Sequence, residues 1–411
     1  MKETSNLLRP ELLAPAGDPE KLLFAYQYGA DAAYIGAGDY SLRLNSGFSL
    51  DEIAAAVELA HRLGKKLYLA VNSFMRNVDI DALPVYLAQL AELQPDALII
   101  SDPGVLVLAR QYAPQVPLHI STQANNTNWL SARFWQEQGA SRIILARELS
   151  LAEAGAISSQ AGIETEIFIH GAMCISYSGR CLLSSFMTGR SANQGNCSHP
   201  CRYQYALMEE KRPGEFFPIE EDAHGSYIMN SRDLCLIDYI PQLCSGQFAS
   251  LKIEGRNKSA YYVANAVRIY RAAIDAFTAD PDGYACDPRW RQELAKISHR
   301  EYTAAFAEEQ AGASSMRYED GGYIRDYDFT AIIREMNDDM LLLEQRNHIA
   351  VGDALEIICP DGSNIPLVAT QIYDEYGVPL AAARHPRQLV RIPNPGLTAL
   401  STPLIVRRPV K

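Results

Sequence analysis

Residues 49–73 read SLDEIAAAVELAHRLGKKLYLAVNS. Ser49 is placed to cap a helix over residues 50–63, Gly64 ends that helix, and 66–71 is a continuous aliphatic run of the kind that makes a strand buried on both faces. The same alternation of amphipathic helix and short apolar run continues through the first 260 residues. Candidate strands are Leu12–Pro15, Ala33–Ala37, Lys66–Val71, Ala97–Ile100, Pro117–Ser121, Arg142–Ala146, Thr165–Ile169 and Ser250–Ile253. Eight such strands with intervening helices predict a (β/α)8 TIM-like barrel, with an open doubly wound sheet as the alternative.

In a barrel of this kind the chemistry gathers where strands end. Polar residues follow the candidate strands: Asn72-Ser73, Ser101-Asp102, Ser121-Thr122-Gln123, Arg147-Glu148, His170-Gly171 and Glu254-Gly255-Arg256. The seventh and eighth strands are about 80 residues apart, far beyond an ordinary crossover. Five of the eight cysteines fall in that insertion, as Cys174-x6-Cys181-x15-Cys197-x3-Cys201 and then Cys235. The order along the chain therefore puts the thiols on the catalytic face.

From Tyr327 the pattern changes to short alternating strands, over 330–334, 340–344, 354–358 and 366–372, divided by turns such as Pro360-Asp361-Gly362. This predicts a small antiparallel β-barrel. The chain then divides into 1–326, a catalytic barrel with a cysteine-bearing insertion at about 171–249, and 327–411.

Composition narrows the function. The N-terminus lacks the apolar core of a signal peptide and no run is long enough to span a membrane, so a cytoplasmic location is expected. There, thiols stay reduced and a cysteine cluster reads as a site rather than as disulfides. The formal charge of −12 argues against indiscriminate nucleic-acid binding. Beyond Glu375, however, no acid follows, while Arg384, Arg387, Arg391, Arg407, Arg408 and Lys411 do. That tail is either a surface for an anionic partner or a solvated basic edge.

Gaps of six, fifteen and three residues match no common zinc ribbon, whereas an iron–sulfur cluster tolerates irregular spacing. Spacing by itself leaves zinc and redox pairs open. Cys244, Cys286 and Cys359 read as ordinary buried thiols.

The residues between the cysteines add a resemblance. The stretch 166–184, EIFIHGAMCISYSGRCLLS, resembles the signature of peptidase family U-32, the collagenase-like peptidases. Asn193-Gln194-Gly195-Asn196-Cys197, Ser231-Arg232-Asp233-Leu234-Cys235, Leu251–Arg256 and the opening Glu11–Gly17 are similar to it too. Within the family the chain looks most like the prephenate-dependent tRNA uridine hydroxylases, through Tyr323–Phe329 and Glu344–Asn347. The resemblance implies oxygen-independent 5-hydroxylation of the wobble uridine of tRNA, with prephenate as co-substrate. It also implies a [4Fe–4S] cluster on Cys174, Cys181, Cys197 and Cys235, with Cys201 a neighbouring thiol or alternative ligand. The anticodon region of tRNA would be the partner, and the C-terminal domain a candidate RNA contact. Family members also hydroxylate ribosomal RNA cytidine or ubiquinone precursors, and the family name itself keeps a peptidase in view.

A dicarboxylate such as prephenate needs fixed cations, and Arg147, Arg180, Lys252 and Arg256 are the candidates. Each has an acid nearby in sequence or fold that would make it an ordinary ion pair instead. Tyr177 is a candidate substrate contact or a structural loop tyrosine. His170, Asp233 and Glu254 are candidate acid–base residues, with support of the cluster loop as the plainer role for His170.

Overall fold

The computed structural model describes residues 9–41, 47–174, 176–202, 206–208, 216–218, 230–245, 247–305, 307, 316–317, 323–397 and 400–410. The expected eight strands all form: β1 (Glu11–Pro15), β2 (Ala32–Ala37), β3 (Lys66–Val71), β4 (Ala97–Ile100), β5 (Leu118–Ile120), β6 (Arg142–Ile144), β7 (Glu164–Ala172) and β8 (Ser250–Ile253). Each pairs in parallel with its predecessor, and β8 pairs with both β7 and β1, which closes the barrel. The residues of β2 and β8 are buried throughout, as expected for strands covered on both faces.

Helices cover the outside. α1 (Pro19–Gln27) starts at Asp18, whose carboxylate accepts from the Lys21 amide. α2 (Leu50–Arg62) opens with a reciprocal capping box between Ser49 and Glu52. The outer ring continues with α3 (Asn77–Glu92), α4 (Pro103–Tyr112), α5 (Trp129–Glu137) and α6 (Leu151–Ala161), and α7 (Ala260–Ala279) follows β8. Among the described residues no helix is long and apolar enough to cross a membrane.

β7 has two allegiances. Its residues Glu166–His170 pair with β8, while His170–Ala172 pair antiparallel with the short strand Asp233–Cys235 of the crossover. Gly171 sits at this fork with φ +111°, and a Cβ there would lie 2.5 Å from the Glu254 carbonyl oxygen, so only glycine lets the two strands approach. The fork fixes the root of the cysteine-bearing segment on the C-terminal face of the barrel.

The C-terminal region forms an eight-stranded antiparallel sheet, including β9 (Tyr327–Met336), β10 (Met340–Gln345), β11 (Ala354–Ile358), β12 (Asn364–Val368), β13 (Leu389–Pro393) and β14 (Leu404–Pro409). Its strand order runs from β12 to the short strand Pro379–Leu380 without these two ends pairing, so the expected closed barrel is a sheet with edges. The strand expected over 366–372 is two, Asn364–Val368 and Ile372–Tyr373.

The sheet is seated on the barrel. Tyr28, which caps the C-terminus of α1, donates its hydroxyl to the Ile358 carbonyl (2.8 Å) and accepts from the Ile405 amide (3.2 Å). Arg407 is fully buried and bonds Glu293 at 2.7 Å, and Arg408 bonds Asp353 at 2.6 Å. Two cations of the basic tail are thus internal ion pairs rather than a surface for an anion.

Candidate active site

Two adjoining cavities open on the C-terminal face. The first lies in the barrel mouth and measures about 50 Å³. Asn72, Ser121, Thr122, Gln123, Arg147, Lys252, Glu254 and Arg256 give it a polar wall, completed by Tyr34 and Phe168. The second, about 100 Å³, lies under the cysteine loops. Cys174, Cys181, Cys197 and Cys201 all line it, with Tyr177, Asn193 and His199. Gln123 and Arg147 belong to both walls.

The barrel floor explains how charges survive there. Glu166 is fully buried between Lys252 (2.8 Å) and Arg142 (3.4 Å), and Arg142 also holds Glu11 at 2.7 Å. Burial pulls the Lys252 ammonium below its usual range, and the Glu166 charge opposes that pull. Lys252 also lies 4.3 Å from the Tyr34 ring centroid. Arg256, 4% exposed, has its guanidinium 5.7 Å from the same ring. Glu254 accepts from the Tyr34 hydroxyl at 3.0 Å.

Arg147 is the cation between the cavities. It donates to the Ala172 carbonyl at 3.1 Å and stands 5.1 Å over the Phe168 ring, while its buried Nε has no hydrogen-bond partner among the described residues. It does not pair with its neighbour Glu148. That carboxylate instead accepts from the Ser178 amide (2.8 Å) and hydroxyl (3.1 Å), tying down the loop between Cys174 and Cys181. Gly179 completes the fit, because at φ +74° a Cβ would come 2.3 Å from the Gln123 carbonyl oxygen.

The thiols contact one another and their own loops. A hydrogen bond between Cys174 and Cys181 pulls the Cys181 thiol down to about 5 and pushes Cys174 up. The His199 amide donates to the Cys197 sulfur at 3.4 Å. Asn193 donates to the Cys181 carbonyl at 3.0 Å. Four free thiols on one cavity fit an iron–sulfur cluster by donor chemistry. Among the described residues no three His, Cys, Asp or Glu side chains have converged to metal-ligating positions, so ligation requires the loops to draw together.

Several expected site residues lie elsewhere. Cys235 is in neither cavity: it pairs with His170 across the strand fork, is buried, and its sulfur is 3.7 Å from the Tyr270 hydroxyl. Burial pushes its thiol up to about 11. Cys201 stands in the cavity wall with Cys174, Cys181 and Cys197. Asp233 is 1% exposed and grips Arg300 through bonds of 2.6, 2.9 and 3.1 Å, which makes it a structural anion. Arg180 is exposed and lines neither cavity.

His170 is enclosed by the rings of Tyr302, Tyr270 and Tyr262, with centroids 5.3, 5.5 and 5.8 Å away. Burial pushes its pKa down to about 3, so it stays neutral and lines neither cavity. Between that value and about 6.5 the unfolded chain binds a proton that the folded chain refuses, so stability falls as pH falls through this window. Wild-type protein is therefore expected to lose about 2 kcal/mol more than His170→Leu between pH 6.5 and 5, at about 1.4 kcal/mol per unit. Urea unfolding of both proteins at the two pH values measures this; equal losses would show that His170 does not carry the effect.

Gln123, Glu148 and Ser178 escaped assignment from sequence, although Gln123 and Glu148 stand in the polar strand ends noted there. Comparison with known proteins places this architecture. Residues 17–317 match "Peptidase family U32" and residues 325–407 match "Peptidase family U32 C-terminal domain". The chain is 41% identical to tRNA hydroxylation protein P1 of Bacillus subtilis (strain 168), over 93% of this chain and 91% of that protein. It is 36% identical to tRNA hydroxylation protein P of Escherichia coli (strain K12), over 98% and 97%. A 23S rRNA 5-hydroxycytidine synthase of the same strain is 34% identical over 74% of this chain and 46% of its own length. Across the barrel, the cysteine-bearing crossover and the C-terminal sheet alike, the chain belongs to peptidase family U32.

Proposed function

We propose that this protein hydroxylates carbon 5 of the wobble uridine in tRNA, with prephenate as co-substrate and without dioxygen. The observation that carries the reading is the pair of cavities joined at Arg147 and Gln123, one walled by four thiols and the other by fixed cations. Relatives that share almost the full length and are named for tRNA hydroxylation support it.

Cys174, Cys181, Cys197 and Cys201 would hold the [4Fe–4S] cluster, which supplies redox-active iron when bound. The barrel mouth would take the dicarboxylate. Arg147 and Arg256 offer guanidinium forks to carboxylates. Lys252, already balanced by Glu166, contributes a fixed dipole more than a free charge. Asn72, Ser121 and Gln123 provide hydrogen bonds that orient the ligand. Phe168 and Tyr34 exclude water beneath it. An anticodon base, already unpaired, would enter from the open side of the thiol cavity at little unstacking cost.

The deciding experiment is reconstitution. Anaerobically purified protein is expected to carry about four irons and to form 5-hydroxyuridine in tRNA taken from a strain lacking the modification, only when prephenate is added. Absence of 5-hydroxyuridine in the presence of bound iron and prephenate would overturn the assignment. Cleavage of denatured collagen by the Cys197→Ala, Cys201→Ala double variant would instead point to a peptidase site.

A further inference from the structure

The rim of the thiol cavity carries an apolar surface that extends outward from the cavity lining at Tyr177. Leu183–Thr188 form a short helix whose Ser184 is buried and lies 3.0 Å from the Ser198 hydroxyl. Two residues on, roughly 200° around the helix, Phe186 faces outward. It is 87% exposed, and nearby in the chain Leu182 is 72% and Tyr177 61% exposed. Single exposed apolar residues are ordinary, but three of them within ten residues, beside a cavity, form a patch.

The charge around this patch has one sign. From Ile167 to Met208 there is no Asp or Glu, in a chain that carries 49 of them and a net charge of −12. Arg180 and Arg190 lie in that stretch and are exposed. Arg190 bonds the Asn196 amide oxygen at 2.9 Å, and neither arginine meets a carboxylate among the described residues. Elsewhere in this protein arginines are consumed by acids, as Arg300, Arg407 and Arg408 are. An aromatic surface flanked by unneutralised guanidinium groups complements a flexible chain that offers both π-faces and phosphates, which is single-stranded nucleic acid.

We propose that this rim is a stacking platform for an unpaired RNA nucleotide adjacent to the one that enters the cavity, with Phe186 under the base and Arg180 and Arg190 on the flanking phosphates. The inference rests on the RNA-modifying reading above and adds to it the surface that grips the loop. It also accounts for how a strongly acidic protein holds RNA without a broad basic face.

Binding of the full-length, anaerobically purified protein to an anticodon stem–loop RNA and to a blunt RNA duplex tests this. Phe186→Ala is expected to weaken stem–loop binding by about ten- to a hundred-fold, the effect of losing one base–aromatic stack, and to leave duplex binding unchanged. Phe186→Trp is expected to restore the affinity. The Arg180→Gln, Arg190→Gln double variant is expected to reduce the slope of log affinity against log salt by about 1.4, or two single-strand phosphate contacts. Unchanged stem–loop affinity in Phe186→Ala, with wild type binding normally, overturns the platform and leaves the RNA reading standing. So does a change in oligomeric mass on Phe186→Ala without a change in RNA affinity, which would make the patch a contact between copies. Failure of the wild type to bind either RNA overturns both.

Discussion

Cys201→Ala is expected to strip iron from the protein and lower uridine hydroxylation by at least about a hundred-fold, whereas Cys235→Ala keeps both near wild type. The two thiols are distinguished by surroundings rather than by spacing. Cys201 shares a cavity wall with Cys174, Cys181 and Cys197. Cys235 belongs to a strand clamped against β7, with its sulfur 3.7 Å from Tyr270 and its thiol held in the protonated form by burial. Drawing Cys235 toward the other three would pull apart the strand pairing that anchors the crossover. Iron content and the brown charge-transfer absorbance of anaerobic protein read the result before any assay is run. Full iron in Cys201→Ala with iron lost in Cys235→Ala would reverse the assignment.

The second large effect concerns Asp233. Asp233→Ala is expected to destabilise the folded protein by about 3–5 kcal/mol, because it removes the carboxylate that holds the fully buried guanidinium of Arg300. The pair is nearly sealed, with Arg300 fully buried and Asp233 at 1% exposure. The Asp233→Leu, Arg300→Met double variant removes both charges and should recover most of the loss. Activity per folded molecule separates this role from acid–base catalysis: the double variant is expected to retain it, and a double variant that folds normally yet is inactive would return Asp233 to the chemistry. Denaturant midpoints, measured alongside turnover, supply both numbers.

The barrel was legible because its signal is local and repeated. Short aliphatic runs such as 66–71, separated by capped helices, state the strand period at each step, and all eight expected strands appear in order. The placement of the thiols on the C-terminal face was legible from chain order alone. What could not be read was which side chains the long crossover folds together. Cys235 and Asp233 sit in a motif that looks like part of the site, yet that motif is a strand pairing with β7, and pairing direction has no short-range signature. His170 lies in the same strand, and three tyrosines from distant segments close over it, an enclosure with no local signature. The basic tail misled because partners such as Glu293 and Asp353 lie 114 and 55 residues away.

The order in which β8 closes the barrel bears on how the protein is made. β8 follows the cysteine loops in the chain, and it is the strand that joins β7 to β1. A ribosome therefore releases all four thiols before the strand that closes the barrel exists. At 5–20 residues per second, the roughly 50 residues from Cys201 to Ile253 take about 3–10 seconds to synthesise. For that interval the sulfur atoms are bare on a nascent chain, open to oxidants and to delivery of iron alike. Oxidation of the thiols in that interval would precede closure of the barrel.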